Sequence, residues 1–306
     1  MDKILDRIQK QWRKDGSIAQ IAEELSGADF NSLLLALFKQ RATKVTPAQL
    51  IADFVENRFV KPSDIDPIKS RELELAWLKQ AQSQGFRVIT LSPVSPLGTC
   101  SAMGAVSQHK VISSTRRTEV VADATNVLAL HIAHEFKTIA DKSAVLRYAT
   151  VHRHLRAQPF DNPKFTAHFG IFCLVSGGFD RGNKAFEWCE LNQHIALILD
   201  LLRGCFAVSD MYIKFFLKED NLQWRDELAQ PHHVWHNLPQ VIVADTDNTY
   251  YQMLQFKIYL RLPNMDIDIA DGGFVDWTQQ LLGNKKHRTF ISGVGIELVQ
   301  RLLLPQ

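Results

Sequence analysis

Apolar residues recur at helical spacing through the first 84 positions. Ile4, Ile8 and Trp12 share one helical face, and Ile18, Ile21, Ala22 and Leu25 share another. Residues 33–38 form a dense apolar stretch of helix. Thr46-Pro47 pairs an N-cap residue with proline at the first helical position. Pro62 and Pro67 mark a linker, and a helix over 70–84 ends at Gly85. The period then changes. Residues 86–91 read as a strand, and Pro93, Pro96 and Gly98 as an irregular loop. Strands follow at 111–114 and 119–121, then a helix capped by Asp123 or Thr125 and running to about 139. Residues 145–155 and 165–175 are rich in β-formers and predict a hairpin whose long loop spans Pro159 to Pro163. A helix over 185–202 stops at Gly204. Residues 206–217 and 241–243 are strand-like, and 250–262 reads as one long strand.

The C-terminal forty residues are the most informative. Their order predicts a strand from Ile269, a turn at Gly272-Gly273, a short helix, a second strand over 291–294, and a helix entered through Gly293-x-Gly295. Long strands with intervening helices and few βαβ spacings imply an α+β fold: a mostly antiparallel sheet flanked by helices. Two units are expected, an N-terminal helical module over 1–69 and a larger domain over 70–306. No internal repeat or low-complexity segment interrupts either.

Composition narrows the function classes. The chain of 306 residues is 46% hydrophobic and 22% charged, with a net charge of +2, as expected for a globular protein with a sizeable core. No like-charged tail points to nucleic acid, and Lys285-Lys286-His287-Arg288 reads as a solvated turn. No apolar run is long enough to span a membrane, and the N-terminus has no signal-like core. Cys100, Cys173, Cys189 and Cys205 are widely spaced and suit a reducing compartment, so a cytoplasmic location is expected. His232-His233-x-x-His236 and His152-x-His154 invite a metal reading. Neither has Cys, Asp or Glu at ligand spacing in the sequence, so no metal is expected.

Several short stretches share one pattern. Gly85-Phe86-Arg87-Val88-Ile89 precedes Pro93; Asp123-Ala124-Thr125 opens a helix; Leu155-Arg156-Ala157-Gln158 ends a strand. His168-Phe169-Gly170-Ile171 begins the return strand, and Tyr250-Tyr251 precedes a long strand. Asp271-Gly272-Gly273-Phe274-Val275-Asp276 and Gly293-Val294-Gly295-Ile296-Glu297-Leu298 close the series. In this order, residues 70–304 resemble the catalytic core of class II aminoacyl-tRNA synthetases. The likeness is to histidyl-tRNA synthetase and to its non-catalytic relative, the regulatory subunit of ATP phosphoribosyltransferase.

That resemblance implies roles. The segment around Gly85 would be the dimer-forming first motif, making the protein a homodimer. Asp123 and Thr125 would grip an amino group, as a carboxylate and a hydroxyl suit an ammonium. Arg156 would hold a carboxylate or α-phosphate with its planar fork. Gln158 stands where the family has a glutamate that reads adenine. His168 stands in the family's Gln-Phe-Gly-Val stretch, and Phe172 replaces an acid facing the histidine side chain. Tyr250 and Tyr251 would line the pocket. Gly272, Gly273, Gly293 and Gly295 would let a ligand approach the backbone, and Glu297 would help hold Mg²⁺. Two arginines of the family are absent besides: Thr246 replaces a catalytic arginine, and Leu298 replaces the arginine that stacks on adenine.

Two readings follow. In one, the protein binds an amino acid or related small metabolite without charging tRNA, as a sensor or regulatory subunit, with Asp123, Thr125, Arg156, His168, Tyr250 and Tyr251 around the ligand. In the other, Arg156 and Glu297 are catalytic, ATP and Mg²⁺ are cofactors, and a carboxylate is activated as an adenylate. A purely structural subunit is a third reading. The N-terminal helices are expected to meet a protein partner, and a tRNA footprint is not expected from so small a net charge.

Overall fold

The computed structural model describes residues 2–12, 17–104, 106–158, 166–218, 222–244 and 247–303. Four helices come first: α1 (Asp2–Trp12), α2 (Ser17–Glu24), α3 (Gly27–Ala42) and α4 (Pro47–Glu56). Thr46 caps α4 by accepting from Gln49 N–H, with Pro47 at the first turn, as its sequence predicts. Helices α3 and α4 bury no residue, and Leu50, Ile51, Phe54 and Val55 are each more than half exposed. An apolar face on these helices is therefore left uncovered.

The linker leads into α5 (Pro67–Ser83), capped by Asp66, whose carboxylate accepts from Ile68 and Lys69 N–H. Gly85, at φ +86°, then turns the chain into β1 (Arg87–Val88). A small ribbon pairs β2 (Val94–Pro96) with β3 (Thr118–Val120), with α6 (Thr99–Gly104) between them. The expected strand at 111–114 is instead a 3₁₀ turn at Gln108–Lys110 and a single bridge from Ser113 to Glu119.

Next come α7 (Ala124–Phe136), β4 (Leu146–Leu155), β5 (His168–Phe179), α8 (Ala185–Arg203), β6 (Met211–Leu217), α9 (Leu222–Leu228) and β7 (Gln240–Ala244). The chain closes with β8 (Leu254–Arg261), β9 (Asp266–Val275), α10 (Trp277–Leu282), β10 (His287–Val294) and α11 (Ile296–Leu303). Eight strands form one sheet in the order β1-β4-β5-β10-β9-β8-β6-β7. The β1/β4 and β6/β7 pairs are parallel and the others antiparallel. The expected α+β architecture is therefore present.

The strand period of two sorts the core into two layers. Ala149, Phe172 and Leu174 pack with Trp77, Leu191 and Ile198 on one face, beneath α5 and α8. Tyr148, Cys173 and Val175 pack with Leu128, Ile132 and Trp277 on the other, beneath α7 and α10. The hairpin loop lies outside the described residues, and its return strand starts at His168.

Two expectations need correction. Gly272-Gly273 is not a turn but lies inside β9. A Cβ on Gly272 would sit 2.5 Å from Ile291 O, and one on Gly273 would sit 2.5 Å from both Leu254 O and the Tyr251 ring. Close backbone approach, not chain reversal, requires glycine there. The strand expected from residue 250 begins only at Leu254. Before it, Asn248 Oδ1 accepts from Tyr250 N–H (3.0 Å) and Tyr251 N–H (3.2 Å), holding the two tyrosines in a loop.

Candidate functional site

A cavity of about 550 Å³ opens between the N-terminus of α7, the end of β4, the loop at 248–251 and the strands β9 and β10. Among the expected site residues, Asp123, Thr125, Arg156, Gln158, Tyr250, Tyr251, Gly293 and Gly295 line it.

Asp123 serves two purposes. It is the N-cap of α7, its Oδ1 accepting from Thr125 N–H (2.9 Å) and from Thr125 Oγ1 (2.6 Å). Its Oδ2 accepts from the Tyr250 hydroxyl at 2.8 Å. Burial pushes this carboxyl up. The neighbouring His154 ring first, then the Arg156 guanidinium and the hydrogen bonds from Thr125 and Tyr250, together outweigh burial and hold it below the ordinary value. Asp123 is therefore a fixed anion inside the cavity.

His154 stands beside it on β4. Burial pushes its ring down to about 3, so it is neutral. Ala124 N–H donates to its Nε2 (3.0 Å), which places the ring proton on Nδ1. That Nδ1 is buried and has no hydrogen-bond partner among the described residues. Arg156 follows two residues later. Its Nε donates to Ala122 O (3.2 Å), and its guanidinium lies 5.3 Å from the Phe169 ring centroid.

A second carboxylate lies on the sheet floor. Asp271 Oδ2 accepts from the Tyr251 hydroxyl at 3.1 Å. Burial pushes Asp271 above the ordinary value, and the Asp123 charge adds to this. Tyr251 and Lys257 offset only part. Tyr250 and Tyr251 meet edge to face, centroids 4.9 Å apart, so each acid has its own tyrosine. Gly273 makes this possible, because its missing side chain leaves room for the Tyr251 ring.

His168, Glu297, Gly272 and Gly273 do not line the cavity. His168 is drawn toward the linker. Its Nδ1 accepts from Arg153 (2.6 Å) and its Nε2 donates to Lys61 O (2.6 Å). Glu297, only 4% exposed, is paired with Arg153 through one oxygen and accepts from Ser63 Oγ (3.1 Å) through the other. Gln300 and Arg301 on α11 also hold the linker, through Asp66 O and the Asp64 carboxylate. The two glycines face neighbouring backbone, as described. Thr246 lies outside the described residues.

Sequence reasoning missed His154 and Asp271 as cavity residues, along with Lys110, Asn248, Gln255 and Asp268. His154 was visible on its strand, but nothing local distinguished it from His152. The pairing of β8, β9 and β10 is what brings Asp271 to the floor. The missing acid of the histidine cluster is supplied by α9. Glu227 can bring a carboxylate oxygen within 4.8 Å of ligand atoms from both His232 and His233. His233 is itself anchored, with Nδ1 against the Asn192 amide and Nε2 donating to Glu227 O at 2.9 Å.

The overall arrangement matches solved structures. An ATP phosphoribosyltransferase regulatory subunit/histidyl-tRNA synthetase from Bacillus halodurans superposes with a TM-score of 0.59 at 12% identity, over 80% of this chain and 83% of that one. Apo histidyl-tRNA synthetase from S. aureus gives 0.57 at 14% identity, over 79% of this chain and 68% of that one. The chain has a class II aminoacyl-tRNA synthetase-like fold. A histidine–tRNA ligase subunit from Alicyclobacillus acidocaldarius gives 0.55 at 12% identity, over 79% of this chain and 95% of that one. No protein-family model matches this synthetase-like chain, and no curated protein matches it. No helix among the described residues is long and apolar enough to cross a membrane.

Proposed function

We propose that this protein binds an amino acid, or a small metabolite bearing the same ammonium and carboxylate, and acts as a sensor or regulatory subunit that does not charge tRNA. One observation carries the reading: Asp123, Thr125, Tyr250 and Arg156 share a single cavity, while Glu297 is held away from it. The ionised Asp123 and the Thr125 hydroxyl suit an ammonium. Arg156 suits the carboxylate, because its fork accepts two oxygens at once.

The adenylate-forming reading requires ATP and Mg²⁺. Both oxygens of Glu297 are already engaged, by Arg153 and Ser63, and Leu298 brings no charge to the cavity wall. The engagement of Glu297 and the apolar Leu298 speak against a nucleotide–Mg²⁺ complex, and we assign no adenylation step. A protein partner on the uncovered face of α3 and α4, and a homodimer built through α5 and β1, belong to the same proposal.

The test is ATP–pyrophosphate exchange across a panel of the common amino acids. The reading predicts no exchange with any of them. Exchange that depends on one amino acid contradicts it.

A further inference from the structure

The side chains that flank Asp271 across the sheet answer its charge only in part. In the register, Lys257 on β8 stands opposite Asp271 on one side and Gly293 on β10 stands opposite on the other. A cross-strand Lys–Asp pair is the expected partner for a half-buried carboxylate. Lys257 does not fill that role. Its ammonium pairs with Asp268 at 2.8 Å, and no salt bridge involves Asp271 among the described residues. Gly293 has no side chain, so the space over Asp271 on that side belongs to the cavity, which both residues line. The Tyr251 hydroxyl supplies one hydrogen bond to an acid whose two oxygens can accept about four.

The cavity walls therefore carry two differently equipped carboxylates. Asp123 already has a guanidinium neighbour, two hydrogen bonds from Thr125 and one from Tyr250. Asp271 has one phenol and open volume. A carboxylate compensated only in part in a half-buried site either takes up a proton or awaits a cation from a ligand. The raised pKa of Asp271 is the signature of that state in the protein alone.

We propose that the ligand is an amino acid whose side chain carries a second cation, a diamino or guanidino monocarboxylate, with that cation seated between Asp271 and Gly293. This inference rests on the proposed amino-acid site and specifies its ligand class. The α-ammonium meets Asp123 and Thr125, the carboxylate meets Arg156, and the distal cation forms a charge-assisted hydrogen bond to Asp271. No covalent step is involved.

Calorimetric titration of the full chain at pH 7.5 tests it, with L-lysine, L-ornithine and L-arginine against L-norleucine and L-glutamine. At least one cationic amino acid is expected to bind about 10- to 100-fold more tightly than norleucine, the range of one charge-assisted hydrogen bond. Asp271→Asn keeps the size of the side chain and an acceptor for Tyr251. It is expected to remove that preference while retaining a single cooperative unfolding transition. Equal or tighter binding of norleucine or glutamine overturns the inference and leaves the amino-acid site standing. A preference that survives in Asp271→Asn also overturns it. Absence of binding by every amino acid overturns both this inference and the reading beneath it.

Discussion

Lys257 stands directly opposite Asp271 in the β8–β9 pairing, yet its ammonium is bonded to Asp268 at 2.8 Å. Asp271 is left half-buried with a phenol for company, and its pKa is raised, by burial first. A carboxyl that is harder to ionise in the folded protein lowers stability as pH rises from its unfolded value through its folded one. Asp271→Asn removes that penalty. The variant is expected to be more stable than the parent at pH 7, with the gain shrinking as pH falls toward 4. Urea unfolding of both proteins at the two pH values checks the sign.

Asp123 runs the other way. Its lowered pKa means stability that is present above the unfolded value and lost as pH falls through the folded one. Tyr250→Phe deletes one of the hydrogen bonds that hold it down and leaves part of a buried anion unsatisfied. The expected loss is about 1–3 kcal/mol at pH 7. Acid unfolding should also begin at a higher pH than in the parent, which a pH titration of the unfolding free energy reads directly.

The glycines of the C-terminal segment differ in what they tolerate. Gly272→Ala forces a Cβ to 2.5 Å from Ile291 O, a backbone atom that cannot rotate away. A loss of about 3 kcal/mol is expected, the upper part of the overpacking range. Gly293→Ala meets the Ile171 methyl at 3.3 Å and Phe172 O at an ordinary contact distance of 3.6 Å, and should cost less than about 1 kcal/mol. The informative readout at Gly293 is binding, since any side chain there intrudes on the space above Asp271. Thermal unfolding and ligand titration of the pair separate the structural glycine from the cavity glycine.

Arg153 joins the linker to α11 by holding both His168 and Glu297. Its own side chain is 44% exposed, so water screens part of the pair, but Glu297 is not free to rehydrate. Arg153→Ala is expected to cost about 1–2 kcal/mol, below the loss typical of a fully buried pair. Limited proteolysis between residues 57 and 66 should speed up. No change in that cleavage would mean the linker is held by Arg301 and Gln300 alone.

Much of the fold was legible because it rests on period and punctuation. The caps at Thr46 and Asp123, the glycine after α5 and the alternation of β6 are local effects, and local residues specify them. Asp123 and Arg156 were legible too, as a helix cap and a strand-end cation. What was not legible depends on register. Gly272-Gly273 has the composition of a turn, and only its neighbours β8 and β10 show why glycine is needed inside a strand. The resemblance to the synthetase motifs implied that His168 and Glu297 face the ligand. Residues more than 100 positions away, Lys61 and Ser63, draw them to the linker instead. Asp271 became a site residue only when the sheet placed Gly293 beside it.

The central claim is that the cavity binds an amino acid without help from a nucleotide. A thermal-shift screen of the full chain against the amino acids, each with and without ATP and Mg²⁺, tests it most directly, because a ligand bound to the native state raises the melting temperature by mass action. The account predicts stabilisation by an amino acid alone, unchanged when ATP and Mg²⁺ are added. Stabilisation that appears only with ATP and Mg²⁺ present would contradict it.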